Sequence, residues 1–165
     1  MTKILFLTRH AKSSWSDRSL SDQMRPLNKR GLNNAPKMGC YIASLEMQPQ
    51  FIVTSPAVRA FTTAKLIGEK IGIQDDDILV DENIYMAYPE ELVKIIHHFD
   101  NAYDNIMLVG HNPTMTELVN MLTGSDIGNI PTCGVAIIRF NTEDWQNIGH
   151  KNSELLEYVY PKLLW

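Results

Sequence analysis

The chain has 165 residues, enough to bury a proper core, and is most economically a single domain, 1–165. Hydrophobic residues make up 44% and charged residues 21%, which excludes an intrinsically disordered chain. A formal net charge of −4 provides no general basic field, so neither nucleic acid nor an anionic membrane surface is an expected partner. No apolar run approaches a membrane span. The N-terminus offers only a four-residue apolar run after Lys3, so no signal peptide is expected. Cys40 and Cys133 lie far apart and in no metal spacing; two small buried thiols in a reducing cytoplasm are expected.

In chain order, Ile4–Leu7 reads as a strand, and "TRHAKS" follows it almost at once. A helical pattern covers Arg30–Leu45. A second strand, Phe51–Thr54, leads into a helix over Pro56–Ile71, and the acidic run Asp75, Asp76, Asp77 marks a solvated turn before the strand Ile78–Val80. A helix over Pro89–Phe99 precedes the strand Ile106–Val109, which leads into a helix over Pro113–Leu122. The strands Val135–Phe140 and Leu155–Tyr160 have no long helix between them and can pair as an antiparallel hairpin or edge. Strands alternating with helices predict an α/β fold: a three-layer sandwich with a mostly parallel central sheet flanked by helices. No repeat or low-complexity tract is present.

Two junctions share one grammar. "FIVTSPAVRA" and "IMLVGHNPTM" each run strand, then Ser or Asn, then Pro, then helix. Ser55 and Asn112 are suitable N-caps, and Pro56 and Pro113 suit the first helical position. Both helices then begin at the C-terminal ends of strands, the edge where open parallel sheets bind ligands and where helix N-termini favour anions. The first strand ends at that edge with Arg9 and His10, the second delivers Arg59, and the third delivers His111. With Pro56 opening its helix, Arg59 is the fourth helical residue and leans back over the edge. Two Arg and two His gathered by an acidic chain make a local anion pocket. Arg matches phosphate oxygens in bidentate fashion, and a neutral His can attack phosphorus.

"TRHAKS", "TSPAVRAFTTA" and "VGHNP" resemble the Arg-His, Ser-Pro-x-x-Arg-Ala and Gly-His signatures of the histidine phosphatase superfamily. "MRPLNKRG", with the small size, resembles its SixA-like phosphohistidine phosphatase branch. The resemblance implies a phosphoglycerate-mutase-like fold, His10 as the nucleophile that becomes phosphorylated, and Arg9, Arg59 and His111 as the clamp on the phosphoryl group. Two positions depart from the wider pattern. Ala11 stands where a Gly is usual, and Asn112 stands where the acid-phosphatase branch has a proton-donating Asp; an amide cannot donate that proton. Glu82, in "ENIY", is a weak counterpart of the Glu that the mutase-type branch uses as its acid; otherwise it is an exposed loop charge.

An alkoxide leaving group needs a proton in the transition state, whereas imidazole leaving from a protonated phosphohistidine does not. A site without a firm acid favours P–N cleavage, and the resemblance implies an open pocket that suits a phosphoprotein, because the chain is short of the long insertions that cap it in family members acting on larger substrates. The reading is therefore a cytoplasmic, metal-independent enzyme without cofactors that dephosphorylates phosphohistidine on a protein. The alternatives are a small-molecule phosphomonoesterase with Glu82 as acid, and a phosphate-binding regulatory module that has lost turnover. Arg25 either reaches the substrate at the pocket rim or pins the loop leading into the first helix. Ser13, Ser14, Trp15 and Ser16 either line that rim or form a plain polar loop. His97 and His98 read as one core-facing and one solvated residue, and nothing recruits His150. Met86, Met107, Met115 and Met121 are expected in the core, and no metal-ligand spacing appears.

Overall fold

A computed structural model describes all of residues 1–165. The chain runs β1 (Lys3–Arg9), α1 (Lys29–Ala43), β2 (Phe51–Thr54), α2 (Val58–Ile71), β3 (Ile78–Val80), α3 (Pro89–His97), β4 (Asn105–Gly110), α4 (Thr114–Thr123), β5 (Val135–Phe140), β6 (Ser153–Val159) and a short α5 (Pro161–Leu164). One six-stranded sheet results, in the order β3-β2-β4-β1-β5-β6. Strands β1 to β4 pair in parallel, while β5 runs antiparallel to both β1 and β6.

Alternation along β1 explains the layers. Ile4 and Phe6 face one way and pack with Ala35, Met38 and Ile42 of α1 and with Ala60, Ala64 and Ile67 of α2. Leu5 and Leu7 face the other way and pack with Leu92 and Ile96 of α3 and with Met115, Leu118 and Leu122 of α4. A strand buried on both faces must be apolar at every position, which is why these strands read as continuous runs.

Several expectations need correction. Helix α2 starts at Val58, with Ala57 in the N-cap position, so Arg59 is its second residue and Ser55 and Pro56 precede it. The physical reason is local: Ser55 Oγ accepts the Ala57 amide, which turns the chain before the helix rather than within it. At the other junction the N-cap position falls on Pro113, after a cis Asn112–Pro113 bond. Asn112 nonetheless performs the capping, because its Oδ1 accepts the Thr116 amide at 3.1 Å and the Thr116 hydroxyl at 2.9 Å. Met107 and Met115 are core residues, but Met121 is exposed and Met86, at a φ of 59°, stands in solvent. Cys133 is buried whereas Cys40 is exposed, and neither is paired.

The "RPLNKRG" stretch fastens α1 to the loop after β1. Asn28 caps the helix by accepting the Gly31 amide at 2.9 Å, and its own amide donates to the Lys12 carbonyl at 2.9 Å. A Cβ on Gly31 would lie 2.2 Å from that same Lys12 oxygen, a backbone atom that cannot swing aside. Ala is ordinarily favoured over Gly inside a helix by about 1 kcal/mol. Here Gly31→Ala is expected to destabilise instead, by roughly 1–3 kcal/mol as for an overpacked core site. Urea unfolding checks this, and a stabilised variant would show that α1 and the loop do not pack as described.

Candidate active site

Three strand ends converge because of register. Arg9 of β1 lies opposite Gly110 of β4. The His10 amide donates to the Gly110 carbonyl and the Ser55 amide to the Val109 carbonyl, each at 3.1 Å. Beyond β1 the loop is tied to α2: the Ala11 amide donates to Thr63 Oγ1 at 2.9 Å, and that hydroxyl donates to the Arg59 carbonyl at 2.7 Å. On the other side the Cys133 amide donates to the carbonyls of Arg9 and His10. His10 is thus held by β4, α2 and the loop before β5.

The His10 ring is buried, and its Nδ1 lies 2.7 Å from the Ala11 carbonyl oxygen. A carbonyl only accepts, so Nδ1 carries the proton and Nε2 keeps its lone pair. Burial, opposed by the Ala11 carbonyl and reinforced by the neighbouring His111 ring and the Arg59 and Arg9 guanidinium groups, lowers the His10 pKa to about 3. His111 is lowered to about 4, again by burial first and then by Arg59, with Asp22 opposing. Both rings are therefore neutral at pH 7. Their centroids stand 5.2 Å apart.

Around them lie three buried nitrogens without partners: Arg9 Nε, Arg59 Nε and His111 Nδ1. Arg9 is anchored through Nη1 to the Ile130 carbonyl at 2.8 Å. Arg59 is anchored through Nη1 to the Asp22 carbonyl at 2.6 Å and through Nη2 to Asp22 Oδ2 at 2.9 Å. His111 Nε2 lies 2.7 Å from Ser55 Oγ. When that hydroxyl donates to Nε2, the ring proton sits on Nδ1 and the third unpartnered nitrogen is also a donor. Buried donors left unpaired are costly. In that tautomer three unpaired donors lie in the cluster that holds the free imidazole lone pair of His10, an arrangement suited to an oxyanion.

The structure brings together Arg9, His10, Arg59 and His111, as the sequence predicts. Arg25 lies close by but is turned to the loop. Its Nη1 donates to Ser13 Oγ at 3.1 Å, its Nε donates to Asp22 Oδ1 at 3.2 Å, and its guanidinium stacks 3.4 Å from the centre of the Trp15 ring. Of its two readings, loop pinning is the one these contacts support. Glu82 is not brought in: it is exposed on the turn Glu82–Ile84, which buries Ile84 instead, and it does not line the cleft. His97 is half-buried and reaches the Ile148 carbonyl, and His98 is exposed, whereas His150 does find a partner in the Leu122 carbonyl.

Sequence reasoning missed Asp22 and Tyr85. Both line a cleft of about 630 Å³ with Arg59 and His111. Asp22 Oδ2 accepts the Tyr85 hydroxyl at 2.5 Å as well as Arg59. The Tyr85 hydroxyl first, then Arg59, hold the Asp22 pKa down at about 2, so Asp22 is ionised at neutral pH. The only signal for Asp22 was its place three residues before Arg25.

The model of the histidine phosphatase superfamily (branch 1) matches residues 5–84. An uncharacterized chloroplastic protein of Arabidopsis thaliana is 32% identical over 154 residues, covering 88% of this chain and 70% of its own. A protein of Agrobacterium tumefaciens described as a candidate SixA phosphohistidine phosphatase superposes with a TM-score of 0.81 at 26% identity, covering 96% of this chain and 98% of its own. The structure of the protein histidine phosphatase SixA complexed with tungstate shares the fold, with a TM-score of 0.80 at 17% identity over 98% of this chain and 99% of that one. The fold is thus phosphoglycerate-mutase-like. The chain belongs to the histidine phosphatase superfamily, on its SixA-like side, and is by class a phosphatase.

The two neutral imidazoles fix how stability depends on pH. Each has a folded pKa below its ordinary 6.5, so the unfolded chain binds more protons between pH 6.5 and about 3 to 4. Their stabilising contribution is complete above pH 6.5 and is lost as pH falls through that window, at up to about 1.4 kcal/mol per pH unit for each ring. His10→Gln, which cannot titrate, is expected to flatten the fall in unfolding free energy between pH 6.5 and 4. An unchanged slope would mean that His10 is not held neutral.

Proposed function

We propose that the protein is a metal-independent phosphatase working through a phosphohistidine intermediate on His10, and that its native task is dephosphorylating phosphohistidine on a protein. One observation carries the first half: a neutral His10, with its Nδ1 proton tied to Ala11 and its Nε2 free, shares its cluster with three buried, unpartnered nitrogens of Arg9, Arg59 and His111. The lone pair supplies the nucleophile. Arg9, Arg59 and the His111 donor supply positioned charge and hydrogen bonds for the equatorial oxygens, which is most of what phosphoryl transfer asks of a protein. These side chains perform both tasks without a metal ion.

The choice of a P–N bond is supported by the donors around the cleft. Asp22 is ionised and has no proton to give at neutral pH. The Asn112 amide is committed to Asn129 Oδ1 and the Ile130 carbonyl. Exposed Met86 and Tyr88 on one side, and exposed Trp15 beside Asp22 and Arg25 on the other, give the mouth an apolar rim of the kind that meets a protein surface. The two free cysteines fit a reducing cytoplasm, and no helix is long and apolar enough to cross a membrane.

A second reading is favoured by one residue. Glu117 of α4 lines the cleft mouth, although it hydrogen-bonds none of the cluster, and it is the carboxyl best placed to serve a small-molecule phosphomonoesterase as acid. The test compares turnover of a phosphohistidine protein with a series of alkyl and aryl phosphomonoesters in the presence of a chelator. Phosphohistidine is expected to be the best substrate, alkyl esters poor, and aryl esters better as the leaving group becomes more acidic. Glu117→Gln and Glu82→Gln are expected to leave the phosphohistidine rate unchanged. A flat leaving-group dependence that turns steep in Glu117→Gln would establish the phosphomonoesterase instead.

A further inference from the structure

The cleft has a floor and walls of opposite character. Its floor is cationic and donor-rich, through Arg59 and His111. Its walls carry two carboxylates, Asp22 and Glu117, and the rings of Tyr85 and Tyr88, with no lysine and no arginine other than Arg59. A leaving group that projects into this cleft from a phosphoryl group held by Arg59 and His111 lies between those walls. Carboxylates there repel a leaving group that is itself a carboxylate or a second phosphate, and they attract one bearing an N–H or a positive charge.

Asp22 is tied directly to the chemistry, since it holds Arg59 through its carbonyl and its carboxylate. A carboxylate has about four lone-pair sites. Three are used: Oδ1 by Arg25 Nε, and Oδ2 by Arg59 Nη2 and the Tyr85 hydroxyl. One acceptor site on Oδ1 remains, and the side chain, which lines the cleft, is 47% exposed. Tyr85 packs edge-on against His111 at 5.5 Å, which fixes the ring that carries the hydroxyl.

We propose that Asp22 is the specificity determinant for the leaving group: its free Oδ1 site accepts a hydrogen bond from the distal ring N–H of a phosphorylated imidazole, beside the Tyr85 ring. The inference rests on the phosphohistidine reading above and explains how the site would prefer it. Kept protonated at the distal nitrogen, the substrate ring needs no proton from the enzyme. The His10 Nε2 lone pair forms the new P–N bond, the electron pair of the old P–N bond returns to the leaving nitrogen, and the distal nitrogen keeps its proton. The product ring is neutral imidazole, and His10 keeps its Nδ1 proton on Ala11. Phosphorus passes from one imidazole to another of the same kind, so the step is balanced without an acid or a base. The same carboxylate disfavours anionic leaving groups.

The experiment measures kcat/KM between pH 6 and 9 for N-phosphoimidazole and for an aryl phosphate, in wild type and in Asp22→Asn. Both rates are expected to fall in the variant, because Arg59 loses a partner. The N-phosphoimidazole rate is expected to fall further by about 10–100-fold, the worth of one hydrogen bond to a charged group. The gap is expected to narrow as pH rises and the substrate ring loses the proton that Asp22 accepts. Asp22→Glu, which restores the charge, is expected to recover part of the difference. Residual aryl phosphate turnover reports that Arg59 and the fold are intact. Equal losses on both substrates at every pH would overturn this role and leave Asp22 as a prop for Arg59 alone. A wild-type enzyme with no P–N turnover would overturn the phosphohistidine reading together with it.

Discussion

The hydrogen bond between His10 Nδ1 and the Ala11 carbonyl is the constraint on which the site depends. It decides which ring nitrogen holds the proton, and so which one presents a lone pair. Alone it would be insufficient, because an accepting carbonyl also favours the imidazolium. Burial and the guanidinium groups of Arg9 and Arg59 push harder the other way, and the ring stays neutral. The cations that attract a phosphoryl dianion thus add to the burial that keeps its attacker unprotonated.

Much of the fold serves to hold that carbonyl still. Thr63 of α2 takes the Ala11 amide, and the capped first turn of α1 packs on Lys12 through the missing side chain of Gly31. The loop between β1 and α1 is thereby fixed from both sides of its first residues. Further along, the same loop turns back through Asp22, which grips Arg59 while Arg25 and Tyr85 grip Asp22. Arg59 is only 5% exposed, so without the Asp22 carboxylate its charge would be poorly compensated. Loop geometry and cation geometry support each other.

The strands Phe51–Thr54, Ile78–Val80 and Val135–Phe140 were legible to the residue, since short apolar runs bounded by turn residues allow few other readings. The four-residue cluster was legible because its members sit at strand ends, where local sequence determines direction. The start of α2 was not. Ser55 was read as a helix cap, but its hydroxyl also serves His111, 56 residues away, and the helix begins later. Asp22 was hidden for the same kind of reason: its partners Arg59 and Tyr85 are 37 and 63 residues distant, in a loop with no periodicity to read. For Glu82 the sequence left two readings, and the structure has it as an exposed loop charge beside the buried Ile84. Met86 misled, since its positive φ places an apolar side chain in solvent. Residues whose role depends on long-range contacts carry little local signature.

The central claim is that His10 accepts the phosphoryl group. It is tested most directly by rapid quenching of turnover with a ³²P-labelled phosphoryl donor, followed by mapping of the labelled residue. The account predicts one acid-labile, base-stable label, located on His10 and attached at Nε2, and none in His10→Ala, which remains folded. A label that persists in His10→Ala, or turnover by that variant at the wild-type rate, would contradict it.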